Sequence, residues 1–437
     1  MMDRFPALQA CALLLACASL TRADMALTLF DPSSGALCSD GSPAGFYFEA
    51  SASGDNSKWV IELEGGGICE SYDDCVSRQG SDLGSSKNWG PFITDGGQNS
   101  RNCTVNPDFC DFNHVFLPYC SGDIWSGNQT EASNPFGDGS GGPRKFVFAG
   151  HTILQAAVAE LKAYVGSAGA GVKELLLEGC SAGGIGTFTN ADWVAAQFPK
   201  ATVRANPQAG YFGLGIDRYA YFSRHAADPD PHHYSDDGWM ANISKYVSPA
   251  MQQCMENDPA AGALLCSTPP RFYPFTTTPM FVSENTADSY QVFVQGGCPQ
   301  SEEPEAVAFV QYLRGILAGS LHSNVVQGAK AATDGLFAPA CLAHCLAWNG
   351  DGAPEVDGLT HQQAMGDWYH GRNRAMRGSM TSPRGRAGQV SHSHMHINDD
   401  DSIDTLLSCT DYGSYDNARA VMFAGSRTQT RETSNYA

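Results

Sequence analysis

The pentapeptide Gly179-Cys180-Ser181-Ala182-Gly183 constrains this chain more than any other stretch. It has the form G-x-S-x-G and follows a short apolar run, Glu174-Leu175-Leu176-Leu177-Glu178, that reads as a buried strand. Residues Gly184 to Phe198 read as a helix. A serine on a sharp turn between strand and helix is pushed outward with its hydroxyl exposed. Glycines on either side let the backbone turn without a Cβ clash. The pentapeptide alone is common; the strand before it and the helix after it give it the context of a nucleophile.

A serine hydroxyl is a weak nucleophile. It needs a histidine base, and the histidine needs a carboxylate to fix its tautomer. In α/β-hydrolases the chain order is serine, acid, histidine, with acid and histidine on loops after later strands. Pro279-Met280-Phe281-Val282-Ser283-Glu284 reads as such a strand, and Asp288 lies just past it. Glu284 is its rival but sits within the strand, and Asp288 reads equally well as a helix N-cap. Among twelve histidines, His344 follows the strand-like segment Leu336 to Cys341 and opens a loop. His361 and His370 fall in a helix expected around His361 to Arg372.

An oxyanion needs backbone N–H donors. Trp59 to Leu63 reads as a strand and runs directly into Glu64-Gly65-Gly66-Gly67. Three glycines there mean that the backbone approaches something closely, and the reading is an oxyanion loop. No Gly-Lys-Ser/Thr follows, so a phosphate loop is disfavoured.

Further along, Gly45-Phe46-Tyr47-Phe48 reads as an edge strand and His114 to Cys120 as another strand. In His151 to Val165, the residues Leu154, Ala157, Val158, Leu161 and Val165 share one helix face. Ala201 to Ala205 reads as a strand, Gly210 to Ser267 as loop-rich, and Glu305 to Ala318 as a helix. Strand, helix, strand, elbow, helix is the order of an α/β protein with a mostly parallel sheet.

The chain has 437 residues, an ordinary 42% hydrophobic and 16% charged, enough for one large domain. Residues 1–23 read as a secretory signal: Arg4, an apolar stretch from Ala7 to Leu20, and a small-residue site at Thr21-Arg22-Ala23. Leu14-Leu15-Ala16-Cys17 also matches a lipoprotein box. Fifteen cysteines, thirteen without Cys11 and Cys17, read as disulfides formed in an oxidising compartment. Local pairs are Cys69 with Cys75, Cys103 with Cys110 and Cys254 with Cys266. The odd count leaves a free thiol, for which Cys180, Cys345 and Cys409 compete. Asn102, Asn128 and Asn242 each open a glycosylation triplet. A net charge of −20 disfavours nucleic acid and anionic membranes as partners. Residues 378–437 are rich in Ser, Gly, Arg, Asp and His and read as a tail with little fixed structure. In it, His392, His394 and His396 beside Asp399 to Asp401 read as low complexity rather than a metal site.

Several stretches together resemble one family, the pectin acetylesterases and their animal relative Notum. They are Cys38 to Ala44, Leu63 to Cys69, Val115 to Gly127, Gly179 to Gly184, Asp288 to Gln291, Phe337 to His344 and Gly366 to Tyr369, in the family's order. The resemblance implies an α/β-hydrolase fold over residues 24–377 and a triad of Ser181, Asp288 and His344. It implies oxyanion donors at Gly66, Gly67 and Ala182, a bridge between Cys38 and Cys120, and one between Cys69 and Cys75. No cofactor or metal is implied. The expected activity is that of a secreted or cell-wall esterase, acting as a monomer on an acetylated polysaccharide. A Notum-like deacylase of a lipid-bearing protein, or a non-catalytic binding protein on the same scaffold, are the alternatives. The chain departs from Notum in having Gly67 where Notum has Trp. It departs from the plant enzymes in having Ile68 where they usually have Trp.

Overall fold

A computed structural model of the chain describes residues 24–94, 99–136, 142–166, 169, 171–212, 246–301, 303–345, 353–372 and 395–397. The core is a ten-stranded sheet. Its strands are β1 (Asp24–Leu29), β2 (Gly45–Glu49), β3 (Lys58–Leu63), β4 (Phe92–Thr94) and β5 (Asn113–Leu117). They continue with β8 (Glu174–Cys180), β9 (Thr202–Gln208), β10 (Phe281–Ser283), β11 (Gly335–Ala338) and the edge strand Met395–Ile397. The hairpin partners β6 (Gln129–Ser133) and β7 (Phe146–Phe148) lie outside it. The order across the sheet is edge strand, β11, β10, β9, β8, β3, β5, β2, β1, β4. All pairs from the edge strand to β5 are parallel, and those from β5 to β4 are antiparallel.

Central parallel strands are covered on both faces, which is why β8 reads as a continuous apolar run. Leu175, Leu176 and Leu177 are all fully buried, each worth roughly 1.5–3 kcal/mol in removed apolar surface. Leu175 and Leu177, with Ile61, Leu63 and Ala205, face helices α2 (Gly150–Val165) and α3 (Ala182–Gln197). Leu176, Val60, Phe281 and Phe337 face Met365, Trp368 and Tyr369 of the helix His361–His370. The apolar stripe of α2 is the one its periodicity gives: Leu154, Ala157, Val158 and Leu161 are buried and Val165 partly so.

Two expectations change. The segment Gly45–Glu49 is not an edge strand: β1 pairs on its outer side. The stretch beyond residue 378 is not wholly without structure, since Met395–Ile397 pairs with Leu336–Ala338. A three-residue strand leaves no periodic trace in sequence; what places it is the row of unpaired backbone groups that β11 would otherwise leave open. His396 lies in that strand, whereas His392, His394, Asp399, Asp400 and Asp401 lie outside the described residues. Among the described residues no group of three or more His, Cys, Asp or Glu side chains is arranged to hold a metal, and no helix is long and apolar enough to cross a membrane.

Candidate active site

β8 ends at Cys180 and α3 begins at Ala182, so Ser181 alone makes the turn. Its backbone is at φ 60°, ψ −123°, a region that L-residues rarely occupy and that is kept at functional sites when the surroundings enforce it. The enforcing contacts are backbone to backbone. Ser181 N donates to Gln208 O of β9 at 3.0 Å, and Ile185 N donates to Ser181 O at 2.9 Å. A Cβ at Gly183 would run into the Leu63 carbonyl at the end of β3. On the other side of that contact, a Cβ at Gly65 would stand 2.7 Å from Cys180 O and 3.1 Å from the Ser181 Cβ. Elbow and glycine loop are therefore locked together, and glycine is what permits it.

The loop itself uses glycine freedom at two residues: Gly66 has φ 142° and Gly67 φ 72°. A side chain at Gly66 would meet Leu83 at 2.6 Å and Tyr119 at 2.9 Å. Ala182 is the first residue of α3, and no side chain caps that helix end. Its N–H belongs to the set that a helix cannot satisfy internally, where the dipole favours negative charge. Among the described residues, no backbone carbonyl outside the regular elements accepts from Gly66, Gly67 or Ala182 N–H.

Asp288 lies five residues after β10 and is fully buried. Its Oδ1 accepts from Gln291 N at 2.9 Å, just past Ser289, the N-cap of the helical turn Tyr290–Gln295. Its Oδ2 is 2.6 Å from His344 Nδ1, so the two carboxylate oxygens hold the following turn and the histidine ring together. Among the described residues, His344 Nε2 is shielded from solvent and has no hydrogen-bond partner, Ser181 Oγ included. Two rings flank the imidazole, Tyr290 stacked at 5.3 Å between centroids and Phe212 at 5.9 Å. Glu284 points elsewhere, accepting from Tyr211 N at 3.0 Å. Burial, and then the nearby Asp288 charge, hold its carboxyl well above the usual carboxylate range. His361 is fully buried, with Nε2 2.6 Å from Ser283 Oγ, and His370 pairs with Asp108 at 3.3 Å.

The free-thiol expectation is overturned for two of its three residues. Cys180 and Cys345 are bridged to each other, with Cα atoms 5.8 Å apart. The residue before Ser181 is thus tied to the residue after His344. A separation of 165 residues gives no local signal for this pair; only the adjacency of β8 and the loop after β11 brings them together. Cys409 lies outside the described residues. The free thiol among the described residues is Cys298, buried, and burial pushes it up to about 11. The other bridges are Cys38–Cys120, Cys69–Cys75, Cys103–Cys110 and Cys254–Cys266, and Cys341 is disulfide-bonded as well. Asn102 and Asn128 are exposed, as a modified side chain needs, and Asn242 lies outside the described residues.

The family model described as Pectinacetylesterase matches residues 18–387. The chain belongs to the pectinacetylesterase family. It is 27% identical to Pectin acetylesterase 7 of Arabidopsis thaliana over 369 residues, covering 80% of this chain and 88% of that protein. It is 31% identical to the Palmitoleoyl-protein carboxylesterase NOTUM of Drosophila melanogaster, covering 80% of this chain and 48% of that protein. A solved structure of the Wnt deacylase Notum from Drosophila superposes with a TM-score of 0.65 at 27% identity, over 80% of this chain and 93% of that one. The family is one of carboxylic ester hydrolases, and the sheet and its helices are α/β-hydrolase-like.

Proposed function

We propose that this protein is a secreted serine carboxylesterase that removes O-acetyl groups from an extracellular polysaccharide. The observation that carries the reading is the Asp288–His344 pair at 2.6 Å, whose loop is bridged to the Ser181 elbow through Cys180–Cys345. His344 Nε2 takes the Ser181 hydroxyl proton as Oγ attacks the acyl carbonyl. The oxyanion is met by the N–H groups of Gly66, Gly67 and Ala182, each such donor being worth about 3–4 kcal/mol. His344 returns the proton to the departing sugar hydroxyl and leaves an acetyl-serine. Water, deprotonated by His344, then releases acetate and regenerates the serine.

An acetyl group is favoured over a long acyl chain by Gly67, where Notum has Trp, and by the plant relatives' printed name. Secretion is supported by the leader-like residues 1–23 and by five bridges among the described residues. The test is acetate release from acetylated polysaccharides by wild type and Ser181→Ala. Loss of release in the variant is the expected result; equal rates end the reading. A second reading, deacylation of a protein, draws on the 31% identity to NOTUM. Esters of increasing chain length decide: a rate maximum at C8 or longer favours the protein substrate, and one at C2 the sugar ester.

A further inference from the structure

The loop bearing Gly66 and Gly67 has no side chains of its own to hold it at those positions, and glycine has the widest backbone freedom to lose. A single guanidinium lies against it. Arg78, at the end of α1 (Tyr72–Arg78), donates from Nη1 to the Gly66 carbonyl oxygen at 2.7 Å. Its Nε donates to Asp74 Oδ2 at 2.9 Å, one turn back on the same helix. That Asp74 oxygen also accepts from Glu70 N at 3.1 Å, where the loop enters α1. The Arg78 side chain is only 15% exposed. A Cβ built on Gly67 would stand 3.1 Å from Arg78 Nη2, so the guanidinium covers both glycines.

The peptide unit is planar and trans, so its C=O and N–H point in opposite directions. The Gly66 carbonyl and the Gly67 N–H belong to one unit. Holding the carbonyl toward Arg78 turns the N–H the other way. We propose that Arg78 is a positioning residue that aims the Gly67 N–H at the oxyanion by gripping the Gly66 carbonyl, with Asp74 keeping the guanidinium in register. The inference rests on the reading of Gly66, Gly67 and Ala182 as oxyanion donors. Arginine suits the task because its planar fork serves two acceptors at once in fixed geometry; lysine offers a point charge on a flexible stem. An ion pair at i, i+4 serving the helix alone adds little to stability and makes no difference to chemistry at Ser181.

The test uses the full-length oxidised protein and two readouts. One is the rate constant for labelling of Ser181 by a fluorophosphonate, whose phosphoryl oxygen occupies the oxyanion position. The other is kcat and KM for 4-nitrophenyl acetate. Arg78→Ala lowers labelling and kcat in parallel, by about 10–100-fold, short of the 10²–10³ for deleting a donor outright. KM stays within about twofold. Arg78→Lys and Asp74→Asn fall between Arg78→Ala and wild type, and added guanidinium ion restores part of the Arg78→Ala rate. Wild-type labelling rates in Arg78→Lys and Asp74→Asn overturn the proposal, even if Arg78→Ala fails to fold. A rise in KM at constant kcat overturns it too, since that marks substrate binding. Wild type that is not labelled at Ser181 overturns the esterase reading and this inference together, whereas normal wild-type labelling with unchanged variants overturns the inference alone.

Discussion

Two histidines near the ends of β10 and β11 have opposite chemistry, and their surroundings say why. His344 has a carboxylate on Nδ1 at 2.6 Å and, among the described residues, no hydrogen-bond partner on Nε2, the arrangement that the proposed base requires. Asp288→Asn is expected to lower kcat by about 10⁴-fold with the fold retained, because an amide favours the wrong tautomer; circular dichroism alongside kinetics checks both parts. His361 has the Ser283 hydroxyl on Nε2 and the rings of Phe281 and Phe337 beside it. Burial lowers it from 6.5 to about 3. The unfolded chain therefore binds this proton first as pH falls. Its contribution is complete above pH 6.5 and is lost on acidification toward pH 3. At pH 5 the loss is about 2 kcal/mol. Thermal unfolding of wild type and His361→Gln between pH 7 and 4.5 tests this: the variant's melting temperature falls less steeply.

The elements of the site were legible to the degree that their signal is local. Leu175 to Leu177 followed by Gly-Cys-Ser-Ala-Gly marks a strand and an elbow, and the α2 stripe marks a helix packed on the sheet. Loop position after a strand favoured Asp288 over Glu284 and His344 over His361, and the family likeness agreed; spacing could not separate Asp288 as an acid from Asp288 as a cap, because loop position alone does not orient a side chain. The Cys180–Cys345 bridge was not legible at all, since nothing within 165 residues of chain records which strands become neighbours. Yet that bridge is what joins the elbow to the histidine loop. Cys345→Ser is expected to lower kcat for 4-nitrophenyl acetate at least tenfold, because small misplacements of a catalytic group are costly. The loss in unfolding free energy is about 2–5 kcal/mol. Steady-state kinetics and denaturant unfolding of the same preparation separate the two effects. Met395–Ile397 was illegible for another reason: a three-residue strand at the sheet edge has too little sequence to show a period.

The whole molecule carries a net charge of −20. A field of that sign repels a polyuronate chain and leaves a neutral acetylated glycan unaffected. Raising ionic strength from 0.02 to 0.2 M should increase kcat/KM several-fold on an acetylated polyuronate and leave it flat on a neutral acetylated polymer, since screening lengths shorten to below about 10 Å. Initial rates of acetate release on the two polymers check this. The disulfides also differ in when they can close. Cys69–Cys75, Cys103–Cys110 and Cys254–Cys266 span 6, 7 and 12 residues and can form on a nascent chain. Cys180 and Cys345 are brought together across β8, β9, β10 and β11, four of the seven strands in the parallel part of the sheet. Their bridge is expected to close later than the three local ones. On the proposed function, protein folded under reducing conditions is expected to hydrolyse 4-nitrophenyl acetate more slowly than the oxidised protein, because its histidine loop is not tied to the elbow.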